Sequence, residues 1–371
     1  MSKLRPRKLS VRTKGTSYPI VIGMNLEREL VRAVEREGKR RAVIIADTTT
    51  RRLFGGRIAR ALKKAGSSVD VLSFPAGERS KNMKTVARLQ HALLEKRFGR
   101  DTLVVALGGG VVGDIAGFVA ATYLRGVPYI QMPTTFLAMV DSSVGGKVGV
   151  DTKYGKNMIG AFYQPRAVIA DLSFISSLSK AQVVNGLIEA VKKFMTSEKR
   201  SLSLPRKLDL AHPLRTSKLL LDIVYRSVRI KARVVMEDEE EKNERRILNF
   251  GHTVGHAVEF LSGYRLSHGF AVGYGILVET KVSELLGILS SKERLAIVAY
   301  LEHFGIESSA LRKYSVSKVL RVIRGDKKAR RGVPHYVLLK SPGSVYTKGG
   351  QYAHPVPERI VQKAYQSLIH T

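Results

Sequence analysis

The chain has 371 residues, 44% hydrophobic and 25% charged, which suits about two globular domains at ~100–200 residues each. It contains no cysteine, so disulfides, thiolate metal sites and cysteine nucleophiles are excluded. Lys and Arg number 63 against 31 Asp and Glu, a net charge of +32. The basic residues are spread along the chain, and no aromatic-rich RNA-binding signature accompanies them. The excess therefore reads as a general basic bias plus a pocket for an anionic small molecule, without a specific nucleic-acid site. No apolar run approaches the ~18–20 residues of a membrane span; the longest, "VVGDIAGFVAATYL", is interrupted by Asp114. The basic start "MSKLRPRKLSVRTKG" has no apolar h-region, so a secretory signal is not expected and the cytoplasm is the expected location.

Strand and helix signals alternate through the first part. "RAVIIAD" (41–47) is a buried strand ending in an acid, and "TTRRLFGGRIARALKKAG" (49–66) has helical spacing. "VDVLSF" (69–74) is a strand, "NMKTVARLQHALLEKRF" (82–98) an amphipathic helix stopped by Gly99, and "DTLVVALGGG" (101–110) a strand running into a glycine turn. "YIQMPTT" (129–135) and "AVIADL" (167–172) also read as strands. Apolar strands separated by helices predict a mostly parallel α/β sheet. Beyond Leu172 the periods are helical, in "KAQVVNGLIEAVKKFM", "RTSKLLLDIVYRSVRIKARVV", "GFAVGYGILVETKVSELLGIL" and "SKERLAIVAYLEHFG", with one late strand, "PHYVLLK" (334–340). The expected division is an α/β domain over 1–175 and a mainly α-helical domain over 176–371.

Three stretches carry chemistry. "LGGGVVGD" (107–114) fits G-x-G-x-x-G through Gly108, Gly110 and Gly113, after a strand and at the start of a helix. Its backbone N–H groups suit a phosphate; equally, a tight glycine turn would let a helix pack on the sheet. No acid follows about 20 residues on, as a Rossmann ribose contact requires, so Asp47 is the better ribose candidate. "MPTTFLAMVDSSVGGKVGVDTKYGKNMIGAFYQP" (132–165) is dense in glycine, hydroxyls, lysine and asparagine, as surface loops and site loops both are.

The third stretch is "RRILNFGHTVGHAVEF" (245–260), in which His252 and His256 lie four apart in a helix-like run. On one continuous helix Arg245, Asn249, His252 and His256 would face one way. "NGLIEAVKKFM" puts Glu189 and Lys192 on one face of another helix, and His268 follows in "SHGF". A lone helical histidine is more often structural, but one Glu with two His is a familiar zinc set. Spacing alone nominates His252 and His256 as the ligand pair, and the absence of H-E-x-x-H speaks against a zinc protease.

Taken together, "FPAGERSKN", "GGGVVGDIAGFVAATYLRGV", "QMPTTFLAMVDSSVGGKVGVD", "GKNMIGAFYQP", "NGLIEAVK", "RRILNFGHTVGHAVE", "SHG" and "DKK" resemble, in order, the 3-dehydroquinate synthase family of sugar-phosphate cyclases. The resemblance implies a Rossmann-like NAD-binding domain and a helical metal- and substrate-binding domain. It implies Glu189, His252 and His268 as ligands of Zn²⁺ (or Co²⁺), with His256 moved to the substrate phosphate. Lys147, Lys192, Lys231, Arg245, Asn249 and His256 match catalytic positions, and Asp141, Lys156 and Asn157 match substrate-binding ones. Asp47, Glu78, Lys81, Gly109, Gly110, Asp114, Thr134 and Thr135 match the NAD-contacting region. Arg125 resembles an arginine that reaches a neighbouring subunit's site, which implies a homodimer. The implied substrate is 3-deoxy-D-arabino-heptulosonate 7-phosphate. It is oxidised with NAD, loses phosphate, is reduced again and closes by an intramolecular aldol step.

Three departures stand out. Phe270 replaces the acid that usually follows His-Gly, removing a carboxylate expected near the metal; "EDEEEKNERR" lacks the usual glycine before the arginine; and "SSLSK" (176–180) lacks the usual proline. The alternatives are a sister cyclase such as a 2-deoxy-scyllo-inosose or valiolone synthase, an NAD- and metal-dependent polyol dehydrogenase, and a silent relative that binds nucleic acid. Arg245 and Asn249 suit a carboxylate-bearing substrate, and "VDSSVGGK" with "GKNMIGA" argues against the dehydrogenase.

Overall fold

The computed structural model describes residues 4–38, 41–325 and 333–369; Lys327 and Lys328 of the "DKK" segment lie outside them. The first part contains β1 (Arg7–Arg12), β2 (Ser17–Gly23), α1 (Glu27–Arg36), β3 (Arg41–Asp47), the short α2 (Thr48–Thr50), α3 (Gly56–Lys64) and β4 (Ser68–Phe74). It continues through α4 (Met83–Glu95), β5 (Thr102–Gly108), α5 (Gly110–Thr122), β6 (Tyr129–Pro133), β7 (Lys147–Thr152), β8 (Gly155–Phe162) and β9 (Ala167–Asp171). Seven strands form one sheet in the order β1-β2-β9-β6-β5-β3-β4. All its pairings are parallel except β1 with β2. The central strands are apolar without alternation because both faces are covered. Val43, Ile45, Val104 and Ala106 pack with Val86, Leu89 and Leu93 of α4 and with Ile115 and Val119 of α5. The helix expected at 82–98 runs from Met83 to Glu95, with Asn82 capping it by accepting the Thr85 N–H at 3.0 Å.

The later elements are α6 (Lys180–Ser197), α7 (Ser217–Glu237), α8 (His252–Leu261), α9 (His268–Leu285), α10 (Ser291–Glu302), α11 (Val316–Arg324), the short strands β10 (His335–Tyr336), β11 (Leu339–Ser341), β12 (Ser344–Val345) and β13 (His354–Pro355), and α12 (Glu358–Ile369). The chain forms two compact units, residues 1–179 with 211–236, and residues 180–210 with 237–371. Residues 211–236, assigned by the sequence to the second domain, thus pack with the first. The reason is visible on α7, where Ser227 and Lys231 meet the backbone carbonyls of Val140 and Asp141. In the second unit α9 packs against α6, α8, α10 and α12. That accounts for its apolar residues on nearly every side.

Three local expectations are corrected. The polar stretch 132–165 is not all loop: β7 and β8 pair as an antiparallel hairpin within it. The single strand expected at 334–340 divides into β10 and β11, which belong to different two-stranded sheets. The run 245–260 is not one helix. A 3-10 turn over Glu244–Asn249 ends at Phe250, Gly251 takes a left-handed φ of 77°, and α8 starts at His252. Arg245 and Asn249 therefore do not share a helix face with His252 and His256. Gly251 is suited to that break because a residue without Cβ enters left-handed backbone without strain.

Candidate active site

In the second unit, three elements bring Glu189, His252 and His268 together. Glu189 lies midway along α6 and is completely buried. His252 and His268 open α8 and α9. The two helices can approach because Gly275 faces Gly251: a Cβ on Gly275 would lie 1.8 Å from the Gly251 carbonyl oxygen. Buried Glu279 of α9 accepts the Gly251 N–H at 2.8 Å, fixing the start of α8. Asn185 of α6 accepts the Gly269 N–H at 2.6 Å, fixing the start of α9.

The side chains are oriented as closely as the backbone. His252 Nε2 is 3.7 Å and His268 Nε2 is 3.6 Å from Glu189 Oε1. His252 Nδ1 faces the Phe250 carbonyl at 3.2 Å and His268 Nδ1 faces Glu259 Oε2 at 3.3 Å. With Nδ1 of each ring anchored in this way, Nε2 is the nitrogen turned toward Glu189 and the one available to a cation once the ring is neutral. Lys192, one turn along α6, donates to Glu189 Oε2 at 2.6 Å. Tetrahedral ligands at about 2.0–2.2 Å from an ion stand about 3.3–3.6 Å apart, and the two N···O separations here are close to that, as a zinc- or cobalt-sized cation requires. Burial by itself would lower the pKa of His268, but the carboxylates of Glu189 and Glu259 outweigh it and push it up to about 9. Two carboxylates around one imidazole are thus a place where positive charge is favoured.

His256 sits one turn beyond His252, with its ring centroid 5.1 Å from that of His252 and 5.8 Å from that of His268. A second group of possible ligands, His256, Glu259 and His268, shares His268 with the first. Sequence reasoning missed Glu259, although its spacing was the available signal, since it lies three residues past His256 and seven past His252 on one helix. The carboxylate beside the far nitrogen of His268 is that of Glu259, from α8.

The segment before α8 is held by acids. Asp238 accepts backbone N–H groups from Lys242, Asn243 and Arg245 at 2.7–3.0 Å. Burial opposes those bonds, yet they hold its carboxyl below the usual range. The buried Arg245 donates to the Glu239 carbonyl, and Asn249 donates to Glu241 at 2.5 Å. Glu241 in this loop takes a left-handed φ of 62°.

In the first unit, Asp47 ends β3, Gly109 and Gly110 follow β5, and Thr134 and Thr135 follow β6. These are the carboxyl ends of adjacent parallel strands, where open α/β sheets bind ligands. Asp47 Oδ1 accepts from the Thr50 N–H and hydroxyl at 2.7 and 3.1 Å. The glycine turn has a packing role as well: a Cβ on Gly113 would lie 2.7 Å from Gln131 Oε1. Lys81, nearly buried, donates to Asp114 at 2.6 Å and to Asn157 at 2.5 Å. Burial works against the charge on Lys81, but Asp114 and Glu78 hold its pKa above the ordinary lysine value. Burial raises the Asp114 carboxyl, with Lys81 pulling it back. Lys156 pairs with Glu78 at 3.2 Å, and Lys231 bonds Asp141 through both its carbonyl and its carboxylate, at 2.9 and 3.0 Å. Lys147 and Arg125 are exposed.

Comparison with known proteins shows the family to which the chain belongs. The family models "3-dehydroquinate synthase N-terminal" and "3-dehydroquinate synthase C-terminal" match residues 71–185 and 186–329. The 3-dehydroquinate synthase of Caldanaerobacter subterraneus subsp. tengcongensis is 42% identical over 340 residues, 90% of this chain and 94% of its own. That of Symbiobacterium thermophilum is 40% identical over 332 residues, 88% of this chain and 92% of its own.

The chain belongs to the 3-dehydroquinate synthase family.

The family is enzymatic, and the chain is a phosphorus-oxygen lyase. Among solved structures, a 2-deoxy-scyllo-inosose synthase complexed with carbaglucose-6-phosphate, NAD⁺ and Co²⁺ matches with a TM-score of 0.88 at 24% identity, covering 97% of this chain and 99% of its own. At that identity the likeness shows a common fold. The choice between a dehydroquinate synthase and a sister cyclase rests on the relatives near 40% identity. Among the described residues no helix is long and apolar enough to cross a membrane.

Proposed function

We propose that this chain converts 3-deoxy-D-arabino-heptulosonate 7-phosphate to 3-dehydroquinate and phosphate. The observation that carries this reading is the convergence of Glu189, His252 and His268 within a chain 42% identical to a 3-dehydroquinate synthase. Glu189, His252 and His268 hold the metal. Asp47, Glu78, Lys81, Gly109, Gly110, Asp114, Thr134 and Thr135 form the NAD-binding set, supported by their place at the carboxyl ends of β3, β5 and β6 and by the Lys81–Asp114 pair. When bound, NAD supplies a reversible hydride acceptor, and zinc or cobalt supplies a Lewis acid for the substrate oxygen.

The substrate carries a carboxylate and a phosphate, and several fixed cations are the means of holding both. Lys147, Lys156, Lys192, Lys231 and Arg245 provide them. Asp141 orients Lys231, Asn157 contacts the substrate, Asn249 joins Arg245 at the substrate carboxylate, and His256 stands by the phosphate. Exposed Arg125, with a left-handed φ of 67°, extends toward the site of a second copy in a cytoplasmic homodimer.

The test is release of inorganic phosphate from the heptulosonate phosphate, with NAD in catalytic amount and Zn²⁺ or Co²⁺ present. Stoichiometric phosphate and 3-dehydroquinate with no accumulation of NADH is the expected result. Release from an aldohexose phosphate alone, or steady NADH production, would overturn the proposal.

A further inference from the structure

We infer that Glu259 is a positioning residue that holds His268 as a metal ligand, and that it is not a ligand itself. The inference rests on reading Glu189, His252 and His268 as the metal set. Each of those three has an anchor on the side away from their meeting point. Glu189 Oε2 takes the Lys192 ammonium at 2.6 Å. His252 Nδ1 meets the Phe250 carbonyl at 3.2 Å, and His268 Nδ1 meets Glu259 Oε2 at 3.3 Å. Metal-binding imidazoles commonly donate their second N–H to a carboxylate or carbonyl, which fixes the tautomer and increases ligand basicity. Glu259 stands in that position, and the residue is only 5% exposed, so water competes little for the bond.

In the other grouping, His256, Glu259 and His268, the His268 atom facing Glu259 is Nδ1, at 3.3 Å. That grouping would require His268 to ligate through Nδ1. Its Nε2–H would then face Glu189 Oε1, the atom toward which His252 Nε2 also points, at 3.7 Å. The first grouping uses both imidazoles on one carboxylate oxygen and leaves Glu259 to orient. Glu259 comes from α8 and His268 from α9, so this bond also couples the two helices that carry the histidines.

The experiment titrates the metal-stripped full-length protein with Co²⁺ alone and with Zn²⁺ alone, reading affinity by calorimetry and ligand geometry by the Co²⁺ visible absorption. Wild type is compared with Glu259→Leu, Glu259→Gln and Glu189→Gln. Loss of an anchoring partner of this kind weakens metal binding by about 10–100-fold, so Glu259→Leu should fall in that range with a changed Co²⁺ band. Glu259→Gln keeps an acceptor oxygen and should recover most of the affinity, and it remains a test if the leucine variant fails to fold. Wild-type affinity and spectrum in both Glu259 variants would overturn the inference, as would anomalous diffraction placing the metal on Glu259 and His256. If Glu189→Gln also binds Co²⁺ normally, the underlying ligand set is wrong; if it loses Co²⁺ while both Glu259 variants do not, only the role of Glu259 falls.

Discussion

Lys192 Nζ lies 2.6 Å from Glu189 Oε2, one helical turn away in a part of α6 that is completely enclosed. The pair lets one carboxylate serve two purposes. Oε2 is neutralised by the ammonium, and Oε1 faces two imidazoles. Removing one partner from a buried ion pair costs about 3–5 kcal/mol, because the other charge stays behind. Lys192→Met should therefore lower the stability of the metal-free protein by that order. Saturating Zn²⁺ should restore part of it, since a cation again offsets the Glu189 charge. Melting temperatures with and without Zn²⁺ check this; an equal loss in both states would show that Lys192 does not act through Glu189.

Gly275→Ala should damage the proposed metal site from a distance. Its Cβ would meet the Gly251 carbonyl oxygen at 1.8 Å, so α8 and α9 must separate. Overpacking of this kind costs about 1–3 kcal/mol, occasionally more. Weaker Zn²⁺ binding should accompany it, because His252 and His268 ride on the two helices. Urea denaturation and metal titration measure the two effects, and unchanged metal affinity would contradict the account.

Glu284 should contribute an acid-sensitive part of the stability. Burial alone would raise its carboxyl, but hydrogen bonds from Lys281, Ser291 and Arg294 outweigh it and hold the pKa at about 2. An unfolded glutamate titrates near about 4.3. Because the folded value is the lower one, the stabilisation is complete above about pH 5 and lost as pH falls toward 2. Glu284→Gln should be less stable than wild type by about 1.5–3 kcal/mol at pH 7, with the gap closing near pH 2. Urea unfolding of both proteins across that range tests the sign.

Lys81→Met should weaken NAD and spare the metal. Lys81 holds both Asp114 and Asn157, and its loss lets burial raise the Asp114 carboxyl further. About tenfold weaker NAD binding is expected, equivalent to about 1.4 kcal/mol, with Co²⁺ affinity unchanged. Calorimetric titrations with NAD and with Co²⁺ give both numbers; NAD affinity equal to wild type would remove Lys81 from the nucleotide site.

Much of this arrangement is legible in local patterns. The buried runs "AVIIA" and "LVVAL" announce parallel strands covered on both faces, and the structure places them side by side as β3 and β5. The Glu189–Lys192 spacing puts both on one face of α6, where they pair. The hairpin of β7 and β8 was less legible because its glycines and polar residues carry no clear alternation. Its pairing depends on register across the hairpin, as Lys147 opposite Phe162 shows. Residues 211–236 could not be assigned by composition, since the helical period of α7 does not say which unit its apolar face meets.

The sequence by itself determined the family, the residue types of the site and the i,i+3 and i,i+4 pairs, because those depend only on spacing along one element. Tertiary structure decided which ring nitrogens of His252 and His268 point at Glu189, that Glu259 stands behind His268, and that Gly251 separates Arg245 and Asn249 from the helix of the histidines. Those facts depend on how α6, α8 and α9 cross, on where a missing Cβ permits close approach, and on which carbonyl or carboxylate fills the far side of each ring. No spacing within a single element specifies them.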